Sequence, residues 1–96
     1  MNLINSIKET VSDLGKQYGA ERIYLFGSYA RGEATEQSDI DLRIDRGAIQ
    51  GLQFAKFWGA LEDKLGKSID LISNAGMDND FLSEIKHEEI LLYERQ

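Results

Sequence analysis

Residues Asp39 to Asp45 alternate without a break: Asp39, Asp41, Arg43 and Asp45 are charged, while Ile40, Leu42 and Ile44 are aliphatic. A period of two marks a β-strand with one face on a core and the other open. A helix would scatter both sets around its axis. The chain must therefore build a sheet with apolar material packed beneath it. The same alternation brings the carboxylates of Asp39 and Asp41 onto one open face. One reading is an edge strand with a solvated charged surface. Against it, aspartate is a poor strand former, and neighbouring like charges repel. A hard cation such as Mg²⁺ accounts for both features, because it takes one or two carboxylates together with substrate phosphates.

The remaining segments supply the material. The 96 residues contain no proline, so glycines mark the boundaries. Leu3, Ile7, Val11, Leu14 and Tyr18 recur at helical spacing and predict a first helix ending near Gly19. Arg22 to Phe26 is β-branched and aromatic, a short buried strand broken by Gly27. Ser28 to Arg31 reads as a short helix stopped by Gly32, and Glu33 to Ser38 as polar loop. Leu52, Phe54, Phe57, Trp58, Leu61 and Leu65 mark a long helix closed by Gly66. Lys67 to Ser73 predicts a third strand, with Ser68, Asp70 and Ile72 on one face and Ile69 and Leu71 on the other. Asn74 to Asn79 reads as a turn, and Asp80 as the cap of a helix with Phe81, Leu82 and Ile85 inward. Ile90 to Tyr93 either extends that helix or forms a last strand, and the strand is preferred. The expected class is α+β, an α/β sandwich: a small mixed sheet with helices packed on one face, in a single domain over residues 1–96.

Composition narrows the partners. A net charge of −6, from 11 basic and 17 acidic residues, argues against gripping polymeric nucleic acid through bulk electrostatics. One nucleotide held through a metal is compatible with it. No stretch is apolar enough for a membrane span, and the amphipathic N-terminus, with Glu9 early, is unlike a signal peptide. The absence of cysteine removes disulfides and thiolate metal sites, and the expected location is cytoplasmic.

Two local patterns carry chemistry. Gly27-Ser28 follows a hydrophobic strand, where glycine permits close backbone approach and Ser28 offers a hydroxyl: an anion site in outline. Alone, such a turn is usually just a turn. Ten residues later comes Asp39-Ile40-Asp41. Asp70, in the middle of the third strand, is a candidate third carboxylate. If its strand neighbours that of Asp39 and Asp41, all three converge on a metal, and Asp70 is placed to take the proton of an attacking hydroxyl. The alternative for Asp70 is a structural acid paired with Arg43.

Together, Gly27-Ser28-Tyr29-Ala30-Arg31-Gly32 and Ser38-Asp39-Ile40-Asp41-Leu42 resemble the signature of the minimal nucleotidyltransferase family, within the DNA polymerase β superfamily. The order of elements fits that nucleotidyltransferase fold from the first helix to Glu94. The resemblance implies that Asp39 and Asp41 hold two Mg²⁺ ions, and that Asp70 shares one and serves as base. It implies that Gly27 and Ser28 hold the β and γ phosphates of a nucleoside triphosphate. Arg31 either contacts phosphates or pairs with Glu33 or Glu36. Arg43 departs from the pattern, standing where many relatives carry an apolar or small residue. By alternation it faces the acids, where it stabilises transition-state charge, pairs with Asp45 or Asp70, or competes with metal.

The resemblance runs closest to free-standing members that act as antitoxins of HEPN-domain RNase toxins. It implies transfer of AMP from ATP to a tyrosine of the toxin. So short a chain has little room for an acceptor site, which a partner protein or a second copy would supply. The alternatives are an antitoxin that only binds, with a vestigial site, and a nucleotidyltransferase acting on a small molecule. Gly66-Lys67-Ser68 resembles the end of a P-loop, but position 61 is leucine and the order runs helix to strand. His87, the only histidine, reads as solvated, and Trp58 with Phe54 and Phe57 as core.

Overall fold

The computed structural model describes residues 3–73 and 78–96. Residues 1–2, and residues 74–77 of the expected turn, lie outside them. Helix α1, Leu3–Tyr18, buries Ile7, Val11 and Leu14, the stripe its periodicity predicts. Strand β1 is Arg22–Phe26, and the short helix α2 follows at once as Gly27–Arg31. Strand β2 is Ile40–Asp45, so Asp39 stands one residue before it. Helix α3, Leu52–Leu65, leads to strand β3, Ile69–Ser73, which begins two residues later than expected. Helix α4, Asn79–Ile85, precedes strand β4, Ile90–Glu94, and the strand reading of the last segment holds.

Among the described residues the four strands form one sheet in the order β3-β2-β1-β4. β1 is antiparallel to both β2 and β4, whereas β2 and β3 are parallel. The parallel pair follows from connectivity, because α3 carries the chain back across the sheet between them. The aliphatic set of β2 does what alternation requires: Ile40, Leu42 and Ile44 are at most 1% exposed. They are buried in one cluster with Ile23 and Leu25 of β1, Leu71 of β3, the α1 stripe, and Phe57 and Leu61 of α3. Burying each such side chain is worth about 1.5–3 kcal/mol. α4 stands at the rim of the opposite, charged face, where Phe81 meets Phe26 edge-on with ring centroids 6.0 Å apart.

Two local expectations are corrected. Leu52 is 81% exposed. It lies two positions before Phe54, which turns it to the far side of the helix from the apolar stripe. The cap of α4 is Asp78, whose carboxylate accepts from the N–H of Asp80 at 3.0 Å. Asp80 sits inside the first turn, where a negative charge suits the helix dipole. No helix among the described residues is long and apolar enough to cross a membrane.

Candidate active site

The parallel register sets Asp41 directly against Asp70. Paired strands lie about 4.8 Å apart, so both side chains rise side by side from one sheet face. Asp39, at the mouth of β2, and Asp70 are exposed, while Asp41 is half-buried. Burial pushes the Asp41 carboxyl above its ordinary range, and the charges of Asp70 and Asp39 add to the push, with Arg31 opposing. Charges that perturb one another in this way lie in one electrostatic neighbourhood.

The edge strand that carries Asp70 is fixed from outside the sheet. Trp58 Nε1–H donates to the Ile69 carbonyl at 2.8 Å, and the Ile69 N–H donates to Glu62 Oε2 at 3.0 Å. Trp58 and Glu62 are one turn apart on α3, so one helix face satisfies both backbone groups of the residue before Asp70. Trp58 was expected only as core; its ring does meet Phe54, and its indole nitrogen also works.

The Gly27-Ser28 turn joins this acidic group in an unexpected way. Gly27 has φ +75°, and a Cβ built on it would collide with Asp41 Oδ2. The missing side chain makes room for the Asp41 carboxylate as well as permitting the left-handed backbone. Gly27, Ser28, Arg31 and Asp41 line a common cavity of about 470 Å³ with Phe81 and Glu88. A larger cavity, about 670 Å³ between α1 and β4, contains Ser12, Lys16 and Tyr93 but none of the predicted site residues. Four of the predicted site residues line the smaller one.

Two glutamates from the α4–β4 connection close the site, and sequence reading identified neither. Glu88 Oε1 accepts from the Gly27 N–H at 3.1 Å, and both its oxygens accept from Arg31 Nη1 at 3.1 Å. These bonds, Arg31 first and Gly27 second, hold the Glu88 carboxyl below its usual range. Arg31 also pairs with Glu33 at 3.2 Å, one of its two expected partners; the Glu88 pair was not expected.

Glu89 accepts from Arg43 Nε at 2.9 Å and Nη2 at 2.7 Å. The Arg43 guanidinium lies 4.0 Å over the Tyr24 ring, and the residue is only 7% exposed. Burial opposes its charge, but the hydrogen bonds and charge of Glu89 more than compensate, so its pKa lies above the ordinary value. Of the readings open for Arg43, a pair with an acid is the one seen, and the acid is Glu89. Asp45 instead meets Arg22 at 3.5 Å. The physical reason is register: Tyr24 stands opposite Arg43 and supplies a ring to stack on, and the chain after α4 brings Glu89 over it.

Among the described residues no three acidic or histidine side chains form a ready metal cage. The donor set nevertheless suits a cation. Asp41 and Asp70 offer hard oxygen donors on one face, and the charge of Asp70 disfavours that of Asp41 unless a positive ion lies between them.

The family model described as "Polymerase beta, Nucleotidyltransferase" matches residues 5–96. Protein adenylyltransferase MntA of Thermococcus cleftensis is 33% identical over 79 residues, covering 81% of this chain and 80% of that protein. A solved structure provisionally named a minimal nucleotidyltransferase superposes with a TM-score of 0.79 at 36% identity, over 90% of this chain and 89% of that one. A chain from the complex of tri-AMPylated Shewanella oneidensis HEPN toxin with MNT antitoxin shares the fold, with a TM-score of 0.72 at 18% identity, over 98% of this chain and 75% of that one.

Proposed function

The chain belongs to the polymerase beta nucleotidyltransferase family, and from that premise we propose that it is an antitoxin which transfers AMP from ATP to a tyrosine of a HEPN toxin. Asp39, Asp41 and Asp70 hold Mg²⁺, two ions in the working site. Gly27, Ser28 and Arg31 hold the nucleotide phosphates. Bound Mg²⁺ supplies charge neutralisation for the attacking and leaving oxygens. Asp70 accepts the proton of the tyrosine hydroxyl as its oxygen bonds to the α-phosphorus. The bond from that phosphorus to the bridging oxygen breaks, and pyrophosphate leaves. Residues 1–96 act as one catalytic domain, and the toxin presents the acceptor.

The observation that carries this reading is the pairing of Asp41 with Asp70 beside the Gly27 turn. It brings two carboxylates beside the cavity that Gly27, Ser28 and Arg31 line, which supports a metal and a nucleotide's phosphates side by side. The choice of AMP and of a HEPN partner is supported by the name of the Thermococcus relative and by the AMPylated toxin in the Shewanella complex. The acidic character of the chain suits an RNA-cleaving, basic partner.

The test is incubation with Mg²⁺, labelled ATP and the cognate HEPN protein. Label is expected on that protein and lost when its tyrosines are replaced by phenylalanine. No label from folded wild-type protein overturns the proposal. If Asp39→Ala combined with Asp41→Ala still neutralises the toxin fully, the chain acts by binding alone.

A further inference from the structure

The groups assigned to the nucleotide phosphates already hold an anion. The Gly27 N–H and the Arg31 guanidinium converge on one carboxylate, that of Glu88, with all three bonds at 3.1 Å. A backbone N–H and a guanidinium facing a pair of oxygens is how proteins hold phosphate. Glu88 lines the same cavity as Ser28 and Asp41, so the carboxylate sits where a ligand of Ser28 must come. The carboxylates nearby disfavour a negative charge at that position, since Asp41 lines the same cavity and the charges of Asp70, Asp39 and Glu88 all act against that of Asp41.

We infer that Glu88 is an internal stand-in for phosphate, which the nucleotide's β and γ phosphates must displace from Gly27 and Arg31 in order to bind. The inference rests on the proposed phosphate role of Gly27, Ser28 and Arg31. Glu88 lies between α4 and β4, outside regular structure. Its neighbour Glu89 stays fixed on Arg43, so displacement is a side-chain rotation and the connection keeps its place. A ligand with several phosphate charges competes well with one carboxylate. AMP does not reach the seat and gains nothing from its release. After transfer, return of Glu88 opposes rebinding of pyrophosphate.

The experiment is calorimetric titration of the whole chain, in Mg²⁺, with AMP-PNP, pyrophosphate and AMP. Wild type is compared with Glu88→Gln and Glu88→Ala. If the displaced state is about a tenth of the population, AMP-PNP and pyrophosphate should bind about tenfold tighter to both variants, with AMP unchanged within about twofold. Glu88→Gln keeps an oxygen for the Gly27 N–H and decides the matter if Glu88→Ala fails to fold. Glu84→Gln is the charge control. Glu84 lines the same cavity without a hydrogen bond to Gly27 or Arg31 among the described residues, and its effect should stay within about twofold. The inference is overturned if wild type binds AMP-PNP and the Glu88 variants bind it no tighter, or if Glu84→Gln tightens it equally. If neither wild type nor variants bind AMP-PNP, the phosphate assignment itself falls.

Discussion

Asp41 and Asp70 are register partners across the parallel strands β2 and β3, and the charge of Asp70 works against that of Asp41. The fold thus stores repulsion at the point where a cation is needed. Without metal, that repulsion is a cost to the folded state.

Stability should record this cost as a pH dependence. Asp41 is shifted upward from 3.8, first by burial and then by Asp70 and Asp39. A carboxyl with a raised folded-state pKa stabilises the fold fully below its unfolded pKa, and the contribution is lost as pH rises through the folded value. In chelator-treated buffer, Asp41→Asn should therefore melt above wild type near neutral pH. The difference should shrink as pH falls through the raised folded value and be gone below 3.8. Thermal melts across that range decide it; an Asn variant that melts lower throughout contradicts the stored repulsion.

Mg²⁺ should reverse the effect in wild type only. At a hundredfold excess over its Kd, a single bound ion adds about 2.7 kcal/mol to stability. The expected outcome is a Mg²⁺-dependent rise in wild-type Tm that is absent from Asp39→Asn combined with Asp41→Asn. Calorimetric melts with and without Mg²⁺ measure it.

Gly27→Ala forces a Cβ into Asp41 Oδ2 and places a side chain at φ +75°. The left-handed backbone alone costs about 1–3 kcal/mol. Urea unfolding should show a loss of at least that size. AMP transfer should fall by more than stability explains, because Asp41 is displaced.

Arg43 and Glu89 form a pair whose side chains are 9% and 10% exposed. Removing one partner leaves a buried charge and costs about 3–5 kcal/mol, whereas an apolar pair of similar volume is close to neutral. Arg43→Ala and Glu89→Ala should each destabilise by that amount in denaturant melts. Arg43→Met combined with Glu89→Leu should recover most of the loss, a coupling visible in a double-mutant cycle.

Trp58→Phe keeps the ring and removes the donor to the Ile69 carbonyl. The stability cost should be about 1 kcal/mol. Because β3 loosens just before Asp70, kcat for AMP transfer should fall more than KM for ATP rises, in steady-state kinetics.

The architecture was legible where the signal is local. The alternation of Ile40, Leu42 and Ile44 specified a buried face, and the run from Arg22 to Phe26 specified β1 to the residue. The Gly27-Ser28 turn and the pair Asp39 and Asp41 were legible as a spacing. That Asp70 would stand beside Asp41 was a condition on strand order, and the parallel pairing of β2 with β3 meets it. Glu88 and Glu89 were not legible. Their partners Gly27, Arg31 and Arg43 lie 61, 57 and 46 positions away, and two glutamates after a helix carry no pattern of their own. The partner of Arg43 stayed open for the same reason: alternation gave its face, and only the tertiary fold gives its partner.

The placement of β4 bears on how the molecule is made. β1 lies inside the sheet, yet Arg22 pairs with Glu94, 72 positions later. Pairing at such separation is slow and comes late in folding. During synthesis, a nascent chain that has emerged as far as β3 already holds the Gly27 turn and all three aspartates. It still lacks the carboxylates that tether Arg31 and Arg43, so both guanidiniums are without those partners until residues 88 and 89 arrive. The Glu88 and Glu89 ion pairs around the candidate site therefore close only once the chain leading into β4 has emerged and β4 docks on β1.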